Sequence, residues 1–238
     1  MNSLDSLGSL GKGFRALVFG ASGTLGQAFV EALQSDVNCE QVIAVSRQTH
    51  ALFSLTDESG LAELMASFAP TGSFQLIIDA TGALTLDGKG PEKHLGALEG
   101  SHLLKAFQIN AVGPALLFKH ALPLLDTQRR AVYAKLSARV GSIGDNRKGG
   151  WYGYRASKAA LNMLLHTAAI EASRKRPHLV VAAMQPGTVA SNLSQPFVAA
   201  ADCVPAQTSV QGLLQTLDTL PAQSGAHFVD YKGQTIVW

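Results

Sequence analysis

Tyr154 and Lys158 stand four residues apart in GGWYGYRASKAALNMLL, a stretch whose composition reads as a helix, so both side chains share one face. A phenol is a poor base at neutral pH, but an ammonium held beside it favours the phenolate and lowers its pKa. Such a pair can pass a proton to or from a carbinol oxygen. A second group stands near the start, where the apolar run of LVFGASGTLGQAF breaks at Gly20, Gly23 and Gly26. Glycines between a strand and a helix permit a tight turn and let a phosphate approach the backbone, with the free amides of the helix N-terminus facing the anion. The break has no Gly-Lys-Ser or Gly-Lys-Thr, which excludes the phosphate loop of nucleoside triphosphatases.

A dinucleotide at that break needs a residue at the end of the next strand to read its adenosine ribose. That strand ends in Ser46-Arg47. An acidic residue would accept from a free 2′-hydroxyl, whereas Arg47 behind a small hydroxyl residue suits a 2′-phosphate, so NADP(H) is expected over NAD(H). Arg155 is another basic residue, but it lies far along the chain.

The elements that must position these groups alternate along the chain. Apolar strand-like runs (RALVFG, QVIAVSR, FQLIIDATG, AVYAKLS, HLVVAAM, GAHFVDY) are separated by helical stretches near 24–33, 61–68, 98–124, 151–176 and 209–220. Strands that read as continuous apolar runs are buried on both faces, which predicts an α/β fold, a single doubly wound (Rossmann) parallel sheet with helices on both sides. Two irregular stretches are long, 83–96 and 185–205. The second, with Pro196 and Phe197, is expected to close over the site, and Trp151 and Tyr152 to line the same cleft. Residues 1–14 read as a mobile tail before a single domain over 15–238, and carry no secretory signal.

Composition narrows the class. A net charge of +2 over 238 residues shows no excess for nucleic acid, and Arg174, Lys175 and Arg176 read as a helix C-terminus meeting its own dipole. No apolar stretch approaches a membrane span. Cys39 and Cys203 form no disulfide framework or zinc cluster, and none of the seven histidines pairs with another at i, i+4, so no metal is expected and the location is expected to be cytoplasmic. Hydrophobic residues are 47% and charged residues 15%, which suggests that another subunit covers some surface.

Taken together these motifs resemble the short-chain dehydrogenase/reductase family, from Arg15 to the C-terminus. The loop Gly20-Ala21-Ser22-Gly23-Thr24-Leu25-Gly26 is similar to the family's glycine loop, with Thr24 at its middle glycine. Asp79-Ala80-Thr81-Gly82 loosely resembles the family's Asn-Asn-Ala-Gly, keeping the backbone approach to the cofactor but losing the amide side chains. Asn110 in FQINAVGP is similar to the asparagine that bends its helix and relays a proton through water to the lysine. Tyr154 and Lys158 resemble the catalytic pair. Pro186-Gly187-Thr188-Val189 resembles the stretch that touches the nicotinamide amide, with Ser191 where a threonine is usual. The stretch 137–161 further resembles the C-factor-like branch, which is similar to sniffer-type carbonyl reductases. The resemblance implies hydride transfer between NADP(H) and a carbonyl or alcohol, with Tyr154 as proton donor or acceptor. It also implies a homodimer or homotetramer joined through the helices of Asn110 and Lys158.

One departure bears on the chemistry. The family ends its fifth strand in Ser-Ser-x-x-Gly and uses the second serine to hold the substrate carbonyl, whereas Ser137-Ala138-Arg139-Val140-Gly141 puts alanine there. Ser137 can substitute if the strand end is bulged, and Ser142 is the other candidate; Ser137 is favoured. A competing reading is a dinucleotide-binding sensor with little turnover, which Ala138 favours and the intact Asn110, Tyr154 and Lys158 oppose. The epimerase branch normally carries a larger C-terminal substrate domain than this chain has room for, and a methyltransferase would explain the glycines but not Tyr154.

Overall fold

The computed structural model describes residues 7–191 and 203–238. Six strands, β1 (Phe14–Phe19), β2 (Cys39–Val45), β3 (Leu76–Asp79), β4 (Ala131–Leu136), β5 (Leu179–Gln185) and β6 (His227–Asp230), form one sheet in the order β2-β1-β3-β4-β5-β6. Every pairing is parallel. The doubly wound expectation is therefore met, for the reason given: successive strand residues feed two separate cores. Leu17, Phe19, Ile77 and Tyr133 face α2 (Glu58–Phe68), α4 (Gly113–Ala121) and α5 (Tyr152–Ser173), while Ala16, Val18, Ile78 and Ala134 face α1 (Thr24–Gln34) and α6 (Ala206–Thr219). Each large side chain fully buried this way contributes roughly 1.5–3 kcal/mol. Strand order reverses between β1 and β3, and the carboxyl ends of strands at such a switch open a crevice.

Two expectations are corrected. Residues 7–13 are not a mobile tail: Leu7 and Leu10 are buried in the α1–α6 core, and Ser9 N–H donates to Asp218 on α6. The folded body thus begins by Leu7, because leucines three apart present one apolar face; residues 1–6 lie outside the described residues. The stretch 98–124 is not one regular helix. It runs as α3 (Gly100–Phe107), a π turn over Gln108–Val112 and α4, closed by a 3₁₀ turn at Leu122–Leu124. The π turn widens the helix at Asn110, where the resemblance placed a bend.

Candidate functional site

At the carboxyl ends of β1, β3, β4 and β5 lies a cleft with a cavity of about 220 Å³. Ala80, Thr81 and Gly82 form one wall, Leu136 to Val140 the floor, Trp151, Tyr154 and Lys158 a second wall, and Pro186 to Val189 with Ser191 a third. The turn from β1 into α1 borders it through Leu25. Gly20 adopts φ +76° and lies against the Ala80 backbone, while a methyl on Gly26 would sit 2.1 Å from the Gly20 carbonyl oxygen. Helix α1 starts at Gly23 without a side-chain cap, with Ser22, Gly23 and Thr24 exposed, so its first amides are open to an anion. That is a cradle which fits a dinucleotide pyrophosphate. Ser46 is buried, its hydroxyl 3.2 Å from Thr49 Oγ1, in a turn that leaves Arg47 exposed beyond β2. Arg155 is spent elsewhere, its Nε donating to the carbonyls of Gly149 and Gly150.

Asn110 clamps the chain after Gly82: its Oδ1 accepts from Ala83 N–H at 2.9 Å and its Nδ2 donates to Ala83 O at 2.8 Å. Gly82 is at φ +146°, a backbone conformation that favours glycine, and a methyl there would make ordinary contacts, 3.4 Å from Lys158 Nζ and 3.5 Å from Asn110 Oδ1. Lys158 is buried and donates to Leu136 O at 3.1 Å. Lys158 by itself does not lower Tyr154 in this geometry. Burial pushes the phenol up to about 12. Lys158 in turn is pulled down to about 7, by burial first and then by the nearby Lys135, with Asp79 opposing. Its ammonium is 5.8 Å from the Tyr154 ring centre and engaged with a carbonyl, so desolvation outweighs the pairing.

The strand-end bulge that would turn Ser137 is absent. β4 pairs with β5 without a shift up to Leu136↔Met184, and Ser137 N–H continues the ladder by donating to Met184 O. Ser137 borders the cleft, but its hydroxyl donates to Asn162 Oδ1 at 2.6 Å, while Asn162 Nδ2, buried, has no protein partner. Ser142 stands outside the cleft lining, where its hydroxyl accepts from Asp145 N–H. Trp151 lines the cleft as expected and Tyr152 does not, being turned to solvent as the first residue of α5. Of the loop expected to cover the site, residues 192–202, including Pro196 and Phe197, lie outside the described residues; Val189 bridges to Val204 beyond them.

The match to known families decides the class: the model described as short chain dehydrogenase covers residues 15–202. The chain belongs to the short chain dehydrogenase family. It is 33% identical over 145 residues to C-signal of Myxococcus xanthus, covering 60% of this chain and 83% of that one. It is also 27% identical over 185 residues to the 1-hydroxy-2-glutathionyl-2-methyl-3-butene dehydrogenase of a Rhodococcus strain, 77% of each chain. The carbonyl reductase Sniffer of D. melanogaster superposes with a TM-score of 0.81 at 22% identity, over 95% of this chain and 100% of that one. An NADPH-bound carbonyl reductase from chicken fatty liver superposes at 0.82 and 22%, over 99% and 98%. The branch read from residues 137–161 agrees with the relatives found.

Several residues in and around the cleft carried no signal in the motifs. Arg139 and Gln185 border the cleft, joined by Arg139 N–H donating to Gln185 Oε1. Glu92 is buried behind it and holds the entry to α5 twice, its carbonyl accepting from Trp151 N–H and its Oε2 from Gly153 N–H. Asp79 and Lys135 form an ion pair with no solvent exposure, one strand apart beneath Thr81.

Proposed function

We propose that the protein is an NADP(H)-dependent carbonyl reductase. The observation that carries this reading is the convergence of Tyr154, Lys158 and Gly82 with the Pro186-Gly187 stretch around one cleft, beside a glycine cradle open to pyrophosphate. When bound, the nicotinamide supplies the hydride for the carbonyl carbon. Tyr154, protonated at neutral pH because its surroundings disfavour the phenolate, gives its proton to the developing alkoxide. Lys158, near the midpoint of its titration at neutral pH, holds the nicotinamide ribose and replaces charge beside Tyr154 as the proton leaves. Asn110 keeps Ala83 and Gly82 in place, and orientation within this closed set contributes much of the acceleration. Gly20, Ser22 to Gly26 and Ala80 to Gly82 hold the dinucleotide, Ser46 and Arg47 its 2′-phosphate, and Pro186 to Val189 with Ser191 its amide end.

The carbonyl oxygen is held by Ser137. Rotation of the Asn162 amide by half a turn presents Nδ2 to Ser137 Oγ, which satisfies the amide nitrogen and frees the serine proton for the cleft. NADP(H) over NAD(H) is supported by Arg47, and by solved relatives whose descriptions carry NADPH or NADP. The protein is proposed to act in the cytoplasm and as a homo-oligomer, the second supported by exposed Leu104 on α3, Val112 in the π turn, and Met163 and Leu164 on α5. Among the described residues no helix is long and apolar enough to cross a membrane.

The deciding experiment follows NADPH and NADH absorbance at 340 nm over a panel of aldehydes, ketones and diketones, with Tyr154→Phe alongside. Turnover with NADPH that vanishes in the variant supports the reading, and turnover that survives it removes Tyr154 as proton donor. A dinucleotide-binding sensor is the second reading, favoured by Ala138 and by the engaged Ser137 hydroxyl. Tight NADPH binding without turnover on any substrate selects it.

A further inference from the structure

The cleft rests on a buried charge pair that the proton transfer does not use. Lys135 Nζ lies 3.0 Å from Asp79 Oδ1, and neither side chain is exposed. The same ammonium donates to Thr81 O at 2.6 Å and to Thr81 Oγ1 at 3.0 Å. Asp79 Oδ1 accepts from Thr81 N–H at 2.9 Å and from Thr81 Oγ1–H at 2.6 Å. One cleft residue is thus tied by four hydrogen bonds to a pair carried on adjacent strands, where Asp79 and Lys135 are direct register partners. A buried pair of this kind is weak evidence for stability, because its desolvation offsets most of its attraction. Its geometry serves the cleft: Thr81 and Gly82 line it, and a methyl on Gly82 would touch Lys158 Nζ and Asn110 Oδ1.

We propose that Lys135 and Asp79 are positioning residues for the candidate site, fixing Thr81 and Gly82 against the dinucleotide and placing a second cation next to Lys158 so that the charge on Lys158 answers to the pair. The proposal rests on the reading of the cleft as a dinucleotide site only for its first half. Among the described residues, the charged and titratable groups facing Lys158 are Lys135 from β4, Asp79 from β3 and Tyr154 on its own helix; Asn110 of the π turn, which carries no charge, faces the same space beside Gly82. Lys135 disfavours the protonated form of Lys158 and Asp79 favours it. Substitutions on the two sides of the pair therefore act in opposite senses, which a purely structural role would not produce.

The test uses the full chain as wild type, Asp79→Asn, Lys135→Met and the double variant D79N/K135M, which leaves no unpaired buried charge if either single variant folds poorly. Side-chain nitrogen NMR of the lysines in the cofactor-free protein, with the Lys158 signal assigned by its loss in Lys158→Arg, reads the titration without any turnover. The expected result is a lower midpoint in D79N, a higher one in K135M and an intermediate one in the double variant. NADPH affinity, measured by fluorescence, is expected to weaken about tenfold in the double variant, as the loss of the two Lys135 bonds to Thr81 implies. A Lys158 midpoint that stays put in all variants, or moves the same way in both single ones, overturns the electrostatic half. Unchanged NADPH affinity in a folded double variant overturns the positioning half. Wild type that binds no NADPH refutes the dinucleotide reading and the positioning half that rests on it, while the lysine titration still decides the electrostatic half.

Discussion

Gly26 offers the sharpest test of the glycine cradle. A methyl built on it lies 2.1 Å from Gly20 O, 2.8 Å from Gly20 C and 2.9 Å from Ala21 Cα. All three atoms are backbone in the turn that leads into α1, so no side chain can swing away. Restoring a tolerable contact requires α1 and the turn to separate by about 1 Å, and close-packed interiors charge roughly 1–3 kcal/mol for such overpacking. For a chain of this length each kcal/mol moves the melting temperature by about 2–4 °C, so Gly26→Ala is expected to melt about 2–12 °C lower. The same 1 Å moves the open amides of α1 away from the anion, and NADPH is expected to bind at least tenfold more weakly, in line with the cost of misplacement on that scale. Gly100→Ala is the control, because nothing lies within 4 Å of the new methyl at the start of α3; its melting temperature and affinity should match wild type. The assay is a thermal melt monitored by circular dichroism together with an NADPH fluorescence titration. Native affinity in Gly26→Ala would refute the placement of the pyrophosphate, and a native melting temperature would refute the packing argument itself.

Further outcomes are expected. Arg47→Ala should weaken NADPH by roughly 10–100-fold, the worth of a charge-assisted contact, and leave NADH unchanged in the same fluorescence titration. Asn162→Asp, which presents only acceptors to Ser137, should hold the serine proton away from the cleft and lower kcat on any substrate found, with little change in NADPH affinity. Leu10→Ala, which empties a buried site in the α1–α6 core, should cost about 2–5 kcal/mol in a denaturant titration, whereas a mobile tail would show no change. Lys158 is held near 7 in the folded chain against an ordinary value of 10.5, so the unfolded chain binds more protons between those limits and stability should rise as pH increases from 7 towards 10. Lys158→Met should flatten that rise in melts taken at pH 7 and 9.5.

The sheet and its order of elements were legible because strands buried on both faces leave unbroken apolar runs, and those runs are long in AVYAKLS and HLVVAAM. The same rule hid the buried pair: Lys135 reads as one charge inside an apolar run, and its partner stands 56 residues away. Only the register Asp79↔Lys135 joins them, and register follows from which strands are neighbours. Glu92 was hidden likewise, as a loop residue whose target, the entry to α5, lies 61 residues on. The N-terminal packing did leave a signal, leucines at 7 and 10, but the glycines and serines around them read as a breaker-rich tail. The way Ser137 faces the cleft was not legible for a different reason, since its strand end carries no bulge and its hydroxyl's direction depends on one hydrogen bond across to α5.

The π turn at Gln108–Val112 also bears on how this chain can change length. It holds one more residue than an α-helix would use for the same passage, and that surplus aims Asn110 at Ala83. Deleting a single residue there would let the turn close as ordinary α-helix and rotate α3 by about 100° relative to α4, the angle of one residue. Leu103, whose Cδ2 would be 3.3 Å from a methyl on Gly153, would leave the start of α5 when the Asn110 clamp opened. Residues 143–149, all exposed, form an outer rim before α5 that is held at separate points, such as Gly144 N–H to Trp238 O and Asp145 to Arg139, and joins no two helices in register. Insertions and deletions among functional descendants of this chain should collect in that rim and be absent from the π turn, whose length is as much a part of the site as any side chain.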